Sequence, residues 1–140
     1  MPGRKRILLL EDHKESREPL AELLRRSGFE VSAYNGCAAA EPHLAACDID
    51  IALLDVRMPG RCGDDFGREL RARCPKTMIV FVTGEAIVDP LHQAVPDCFI
   101  MRKPIDVAVL LELLAWFTSD GVCGSPTRKE IDDRARPGKM

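Results

Sequence analysis

Residues 49–60 read Ile49-Asp50-Ile51-Ala52-Leu53-Leu54-Asp55-Val56-Arg57-Met58-Pro59-Gly60. A mostly apolar run ends on a carboxylate and breaks at once into a turn, as expected of a strand covered on both faces that opens onto a loop. Ile7 to Leu10, Thr77 to Val82 and Cys98 to Met101 repeat that apolar pattern and predict further parallel strands beside Ile49 to Leu54. Phe29 to Tyr34 differs. Phe29, Val31 and Ala33 alternate with Glu30, Ser32 and Tyr34, the pattern of a half-exposed edge strand.

Helical patterns fill the gaps. Leu20, Leu23 and Leu24 form a stripe that Ser27-Gly28 stops. Pro19 requires that helix to start near Glu15 or Ser16, so that its missing N–H falls among the first-turn donors. Ala38 to Ala46 predicts a second helix whose start Pro42 disturbs, and Asp64 to Arg73 a third that stops before Pro75. A short fourth runs from Asp89 as cap through Pro90 to about Ala94. Asp106 caps a fifth, Val107 to Phe117. This alternation predicts an open α/β sheet, doubly wound with helices on both faces. With an edge strand second in sequence, the flavodoxin-like five-stranded parallel order 2-1-3-4-5 follows, its ligand crevice at the carboxyl ends of the strands.

The composition sets the outer limits. A chain of 140 residues, 46% of them apolar, suits one globular domain and excludes two full ones. Twenty basic against 22 acidic residues give a net charge of -2, which argues against dominant nucleic-acid affinity, and direct DNA binding is not expected. The basic start, Met1 to Arg6, precedes only Ile7 to Leu10, too short for a signal-peptide core or a membrane span, so a cytoplasmic, non-membrane protein is expected. Six cysteines form no C-x-x-C pair and read as reduced thiols. The domain is expected to run over residues 4–118. Residues 119–140, rich in Gly, Pro, Ser and mixed charge, read as a flexible tail.

Chemistry collects where the buried strands end. Glu11-Asp12, Asp55, Thr83 and Lys103-Pro104 all face the predicted crevice. Converging carboxylates repel unless a cation sits among them, and hard oxygen donors suggest Mg²⁺. A carboxylate can also attack phosphorus, and Asp55, at a strand mouth before a turn, is the candidate nucleophile. Lys103 can pair with it or with a phosphoryl oxygen, and Thr83, with small Gly84 behind it, can donate its hydroxyl. His13 reads as a surface histidine, and His43 and His92 carry no signal.

Ile7-Leu8-Leu9-Leu10-Glu11-Asp12, Asp55 to Gly63, Val82-Thr83-Gly84 and Lys103-Pro104 together resemble the receiver domains of two-component response regulators, of the stand-alone type. The resemblance covers about Arg4 to Phe117. It implies Asp55 as phosphoacceptor and Mg²⁺ on Asp12 and Asp55, with Glu11 acting through water and the Arg57 carbonyl completing the set. Thr83 and Lys103 would read the phosphoryl group, and Lys103-Pro104 would be cis. The implied partners are a histidine kinase or histidine phosphotransfer protein and an unknown downstream protein, with a homodimer through the fourth-helix to fifth-helix face as a further option. The chain also departs from the family. Residues 85–96 are short for its fourth helix, and Ile100 stands where a switching aromatic is common. Arg57 and Glu85 form a candidate salt bridge over the site. The alternative function is a phosphorylation-independent receiver-like adaptor. An aspartyl-phosphate phosphatase is disfavoured because Arg57 replaces the second aspartate of a D-x-D arrangement.

Overall fold

The computed structural model describes residues 5–56, 63–84, 91, 93 and 95–118. Five parallel strands, β1 (Arg6–Leu10), β2 (Glu30–Tyr34), β3 (Ile51–Asp55), β4 (Met78–Thr83) and β5 (Phe99–Arg102), form one sheet in the order β2-β1-β3-β4-β5. The expected doubly wound flavodoxin-like α/β architecture is present. β3 and β4 are buried along their whole length, whereas β2 at the edge is only half-buried, which is why one kind of run is unbroken and the other alternates.

Helices α1 (Lys14–Arg26) and α5 (Val107–Thr118) pack on one face, where Ala21, Leu24, Leu110, Leu113 and Leu114 meet Ile7, Leu9, Leu53 and Val80. The opposite face carries α2 (Cys37–Ala40), α3 (Pro42–Ala46) and α4 (Gly63–Arg73), which pack Cys37, Leu44, Phe66 and Leu70 onto Leu8, Leu54 and Phe81. Asp106 caps α5 as expected, its Oδ1 accepting the Val109 amide at 3.2 Å.

The structure corrects three expectations. α1 begins at Lys14, because the His13 carbonyl accepts the Ser16 and Arg17 amides, so Pro19 lies in the second turn and removes an internal bond. Gly28, at φ 100°, ends that segment as the sequence implied. The single helix expected over Ala38 to Ala46 is two short ones hinged at Glu41, since Pro42 has no amide to continue the ladder. The six cysteines are not all reduced thiols: Cys47 and Cys74 form a disulfide. Of the short fourth predicted helix, Leu91 and Gln93 are helical and the Val95 amide bonds the Leu91 carbonyl. Its Asp89 and Pro90 lie outside the described residues, as do the predicted tail, Cys62, Cys123 and His92.

Candidate functional site

Parallel strands bring their carboxyl ends to one edge, and there the residues expected to act come together. Glu11 follows β1, Asp55 ends β3, Thr83 ends β4, and Lys103 follows β5, its amide bonded to the Thr83 carbonyl at 2.8 Å. Glu11, Asp55 and Thr83 are all buried. The Lys103 side chain, 34% exposed, reaches in from the rim to place Nζ 2.9 Å from Asp55 Oδ2 and 3.5 Å from Glu11 Oε1. The Lys103-Pro104 bond is cis.

Glu11 is held on several sides. Its amide donates to the Tyr34 carbonyl, its carbonyl accepts from the Arg17 guanidinium at 3.0 Å, and its Oε2 accepts the His13 amide at 3.0 Å. Burial pushes its carboxyl pKa up. The His13 amide, the Lys103 charge and hydrogen bonds to Asp55 and the His13 ring outweigh that and leave it below the usual carboxylate value. For Lys103, desolvation pulls the pKa down, but its bond to and charge attraction by Asp55, with Glu11 behind, raise it above the usual lysine value.

Asp12 is the least satisfied member. Its Oδ1 is buried and finds no hydrogen-bond donor among the described residues; the nearby His13 Nδ1, 3.1 Å away, is also 3.2 Å from Glu11 Oε2. Glu11, Asp12 and Asp55 thus set three carboxylates against one lysine. An acceptor without a donor amid uncompensated oxygen ligands is a fit for a hard divalent cation such as Mg²⁺. Glu11, Asp12 and His13 also present ligand atoms within 4.8 Å of one another.

The backbone behind Asp55 is tightly packed. The Gly63 amide bonds the Val56 carbonyl at 3.1 Å, and a Cβ on Gly63 would overlap the Asp55 carbonyl oxygen and lie 2.9 Å from its carbon. Only glycine lets the start of α4 come this close.

Not every candidate joins the site. Ile100 is fully buried in the core on the α2 to α4 face, paired in register with Phe81, and Gly84 is exposed beyond β4. Arg57 and Glu85, with their candidate salt bridge, lie outside the described residues. Sequence reading missed the engagement of His13 and Arg17 with Glu11. The available signal was position: one directly follows the acidic pair, and the other lies in the first turn of α1. It also missed a chain in which Tyr34 Oη lies 3.0 Å from His43 Nε2 and His43 Nδ1 lies 2.7 Å from Asp48 Oδ1.

The response regulator receiver domain family matches residues 7–115. The sensory transduction protein RegX3 of Mycobacterium tuberculosis (strain H37Rv) is 35% identical over 83 residues, 59% of this chain and 37% of its own length. The chain therefore spans little more than a third of that relative. The response regulator receiver protein CpdR of Brucella abortus is 31% identical over 109 residues, 76% of this chain and 91% of its own. A response regulator receiver protein from Sinorhizobium medicae superposes with a TM-score of 0.73 at 28% identity, over 81% of this chain and 94% of its own.

Proposed function

The chain belongs to the response regulator receiver domain family, and from that premise we propose a phosphorylation-dependent switch with Asp55 as phosphoacceptor. The observation that carries this reading is the lysine ammonium 2.9 Å from a buried aspartate at a strand mouth, shared with Glu11 at 3.5 Å, beside Asp12 whose buried Oδ1 has no hydrogen-bond donor among the described residues. An Asp55 oxygen attacks the phosphorus of a phosphohistidine on a histidine kinase or phosphotransfer protein. The P–N bond breaks, the imidazole leaves with its electron pair, and an acyl phosphate remains. Lys103 then moves from the carboxylate to a phosphoryl oxygen, and the Thr83 hydroxyl donates to another. Asp12 and Asp55 would hold Mg²⁺ directly, Glu11 through water and the Arg57 carbonyl from the following loop, the ion spreading the charge of the phosphoryl oxygens.

A groove of about 800 Å³ leads to this point between α1 and the start of α5, with Pro19, Leu20, Leu23, Ile105 and Val107 on its walls and Glu11 and Lys103 at its polar end. It suits a helix that carries the phosphoryl donor. Residues 4–118 act as the receiver and 119–140 as a tail, the protein working in the cytoplasm; no described helix is long and apolar enough to cross a membrane. Arg57, Glu85, Gly84 and Pro104 tune access to the acyl phosphate. Output passes by protein contact, with a homodimer through the face around α5 as one form.

A second reading has its own support. α5 is apolar nearly all round, with Val107 and Phe117 exposed, and the Ile100 position offers no aromatic switch. These features suit a constitutive adaptor. Intact mass after incubation with Mg²⁺ and a small acyl phosphate decides between the two. A phosphoryl adduct on wild type, lost in Asp55→Asn and without Mg²⁺, supports the switch. Absence of both an adduct and beryllofluoride binding overturns it in favour of the adaptor.

A further inference from the structure

At the end of the sheet remote from the carboxylates, the Cys47–Cys74 disulfide joins the chain just after α3 to the chain just after α4, with Cα atoms 5.5 Å apart and a sequence separation of 27. The ring it closes contains β3, Asp55 and all of α4.

Three observations distinguish this bond from an inert staple. Cys47 is exposed while Cys74 is 4% exposed, so a thiol from solvent has one sulfur to attack. Acceptors for both reduced thiols are already in place: the Leu44 carbonyl oxygen lies 3.6 Å from each sulfur, and the Arg73 carbonyl oxygen lies 3.3 Å from that of Cys47. Reduction therefore strands no buried donor. Cys47 is also the one described non-glycine residue at positive φ, 48°, a conformation that is costly for an L side chain. Its amide also donates to the His43 carbonyl at 2.9 Å, an anchor that does not pass through the sulfur.

We propose that Cys47–Cys74 is a reversible thiol–disulfide exchange site, taking a small thiol or disulfide of the glutathione class, and that its state sets how firmly the β3–α4 unit is held. In the reducing direction a thiolate attacks Cys47 Sγ, the S–S bond breaks, and Cys74 leaves as thiolate and takes up a proton. A second thiolate then attacks the small molecule's sulfur in the mixed disulfide and releases Cys47. Two small thiols become one small disulfide, and the protein gains two electrons and two protons. α4 carries the effect along its length: its far end is Gly63, packed against the Asp55 carbonyl. Any bearing on phosphorylation rests on the reading of Asp55 above, whereas the redox site does not.

The test titrates the full chain in glutathione buffers of graded ratio, traps thiols with a maleimide, maps them by mass, and follows amide exchange across Gly63–Arg73. We expect one two-electron transition at Cys47 and Cys74 in the folded protein, with α4 exchange about tenfold or more faster when reduced. Cys47→Ser should match the reduced wild type in every buffer. Failure to reduce without denaturant, or identical exchange in both states, would overturn the proposal, and neither result depends on whether Asp55 accepts a phosphoryl group. Phosphoryl lifetime on the same samples is expected to differ at least about threefold. No adduct in either state would count against the Asp55 reading alone.

Discussion

The two ends of the sheet solve opposite problems. At the amino ends of the strands polar groups are matched: Thr77 Oγ1 donates to the Ile49 carbonyl at 2.8 Å, the Arg6 amide to Asp50 Oδ2 at 2.8 Å, and the disulfide joins the flanking helices. At the carboxyl ends, Glu11 and Asp55 share one lysine, and Asp12 Oδ1, next in the chain to Glu11, has no donor among the described residues. One end is satisfied by the chain itself, and the other, on the function proposed above, is completed by a bound cation. Burying uncompensated charge lowers stability, so the stability lost at the site must be supplied by the core and the matched end.

Substitutions can break or sharpen this contrast. Gly63→Ala should have the largest effect, because the added Cβ meets backbone at Asp55 and not a movable side chain; we expect a loss of about 2–3 kcal/mol in urea unfolding and impaired phosphorylation. Thr77→Val, at the matched end, should cost about 1–2 kcal/mol by leaving the Ile49 carbonyl without its donor, with Mg²⁺ affinity unchanged by calorimetry. Asp12→Asn should act in the opposite direction on stability. Relief of repulsion should raise the metal-free melting temperature by about 2–5 °C while Mg²⁺ binding weakens tenfold or more. A stabilised metal-free Thr77→Val or a destabilised Asp12→Asn would erase the distinction.

The smallest effect concerns acid. The Glu11 carboxyl lies below the ordinary glutamate value in the folded protein, so its contribution to stability is complete above that ordinary value and disappears as pH falls through the lowered one. Glu11→Gln should flatten this part of the acid limb in metal-free unfolding curves.

Much of this was legible in the chain because parallel strands buried on both faces must be apolar throughout. Ile7 to Leu10 and Thr77 to Val82 could hardly be read otherwise, and the residues that close such runs necessarily share one edge. That is why Glu11, Asp55, Thr83 and Lys103 are legible as one site in the sequence. Features made by contacts between elements were less accessible. Nothing local in Cys47 or Cys74 announces a partner across α3 and α4, and His43 meets Asp48 only because Cys47 turns the chain through a left-handed conformation. The start of α1 is hard to read in the sequence for a related reason: it is set by the His13 carbonyl and the Glu11 carboxylate, not by the proline that the periodicity makes conspicuous.

That proline has a further consequence. Pro19 denies the Glu15 carbonyl its usual amide, and both residues line the groove leading to Lys103. The helix there trades a little of its own cohesion for a backbone acceptor that depends on Pro19 and not on the other side chains of the groove, beside a ring that has no rotamers to lose when covered. A partner seated there, on the function proposed above, would tolerate change in the neighbouring side chains for as long as Pro19 is kept.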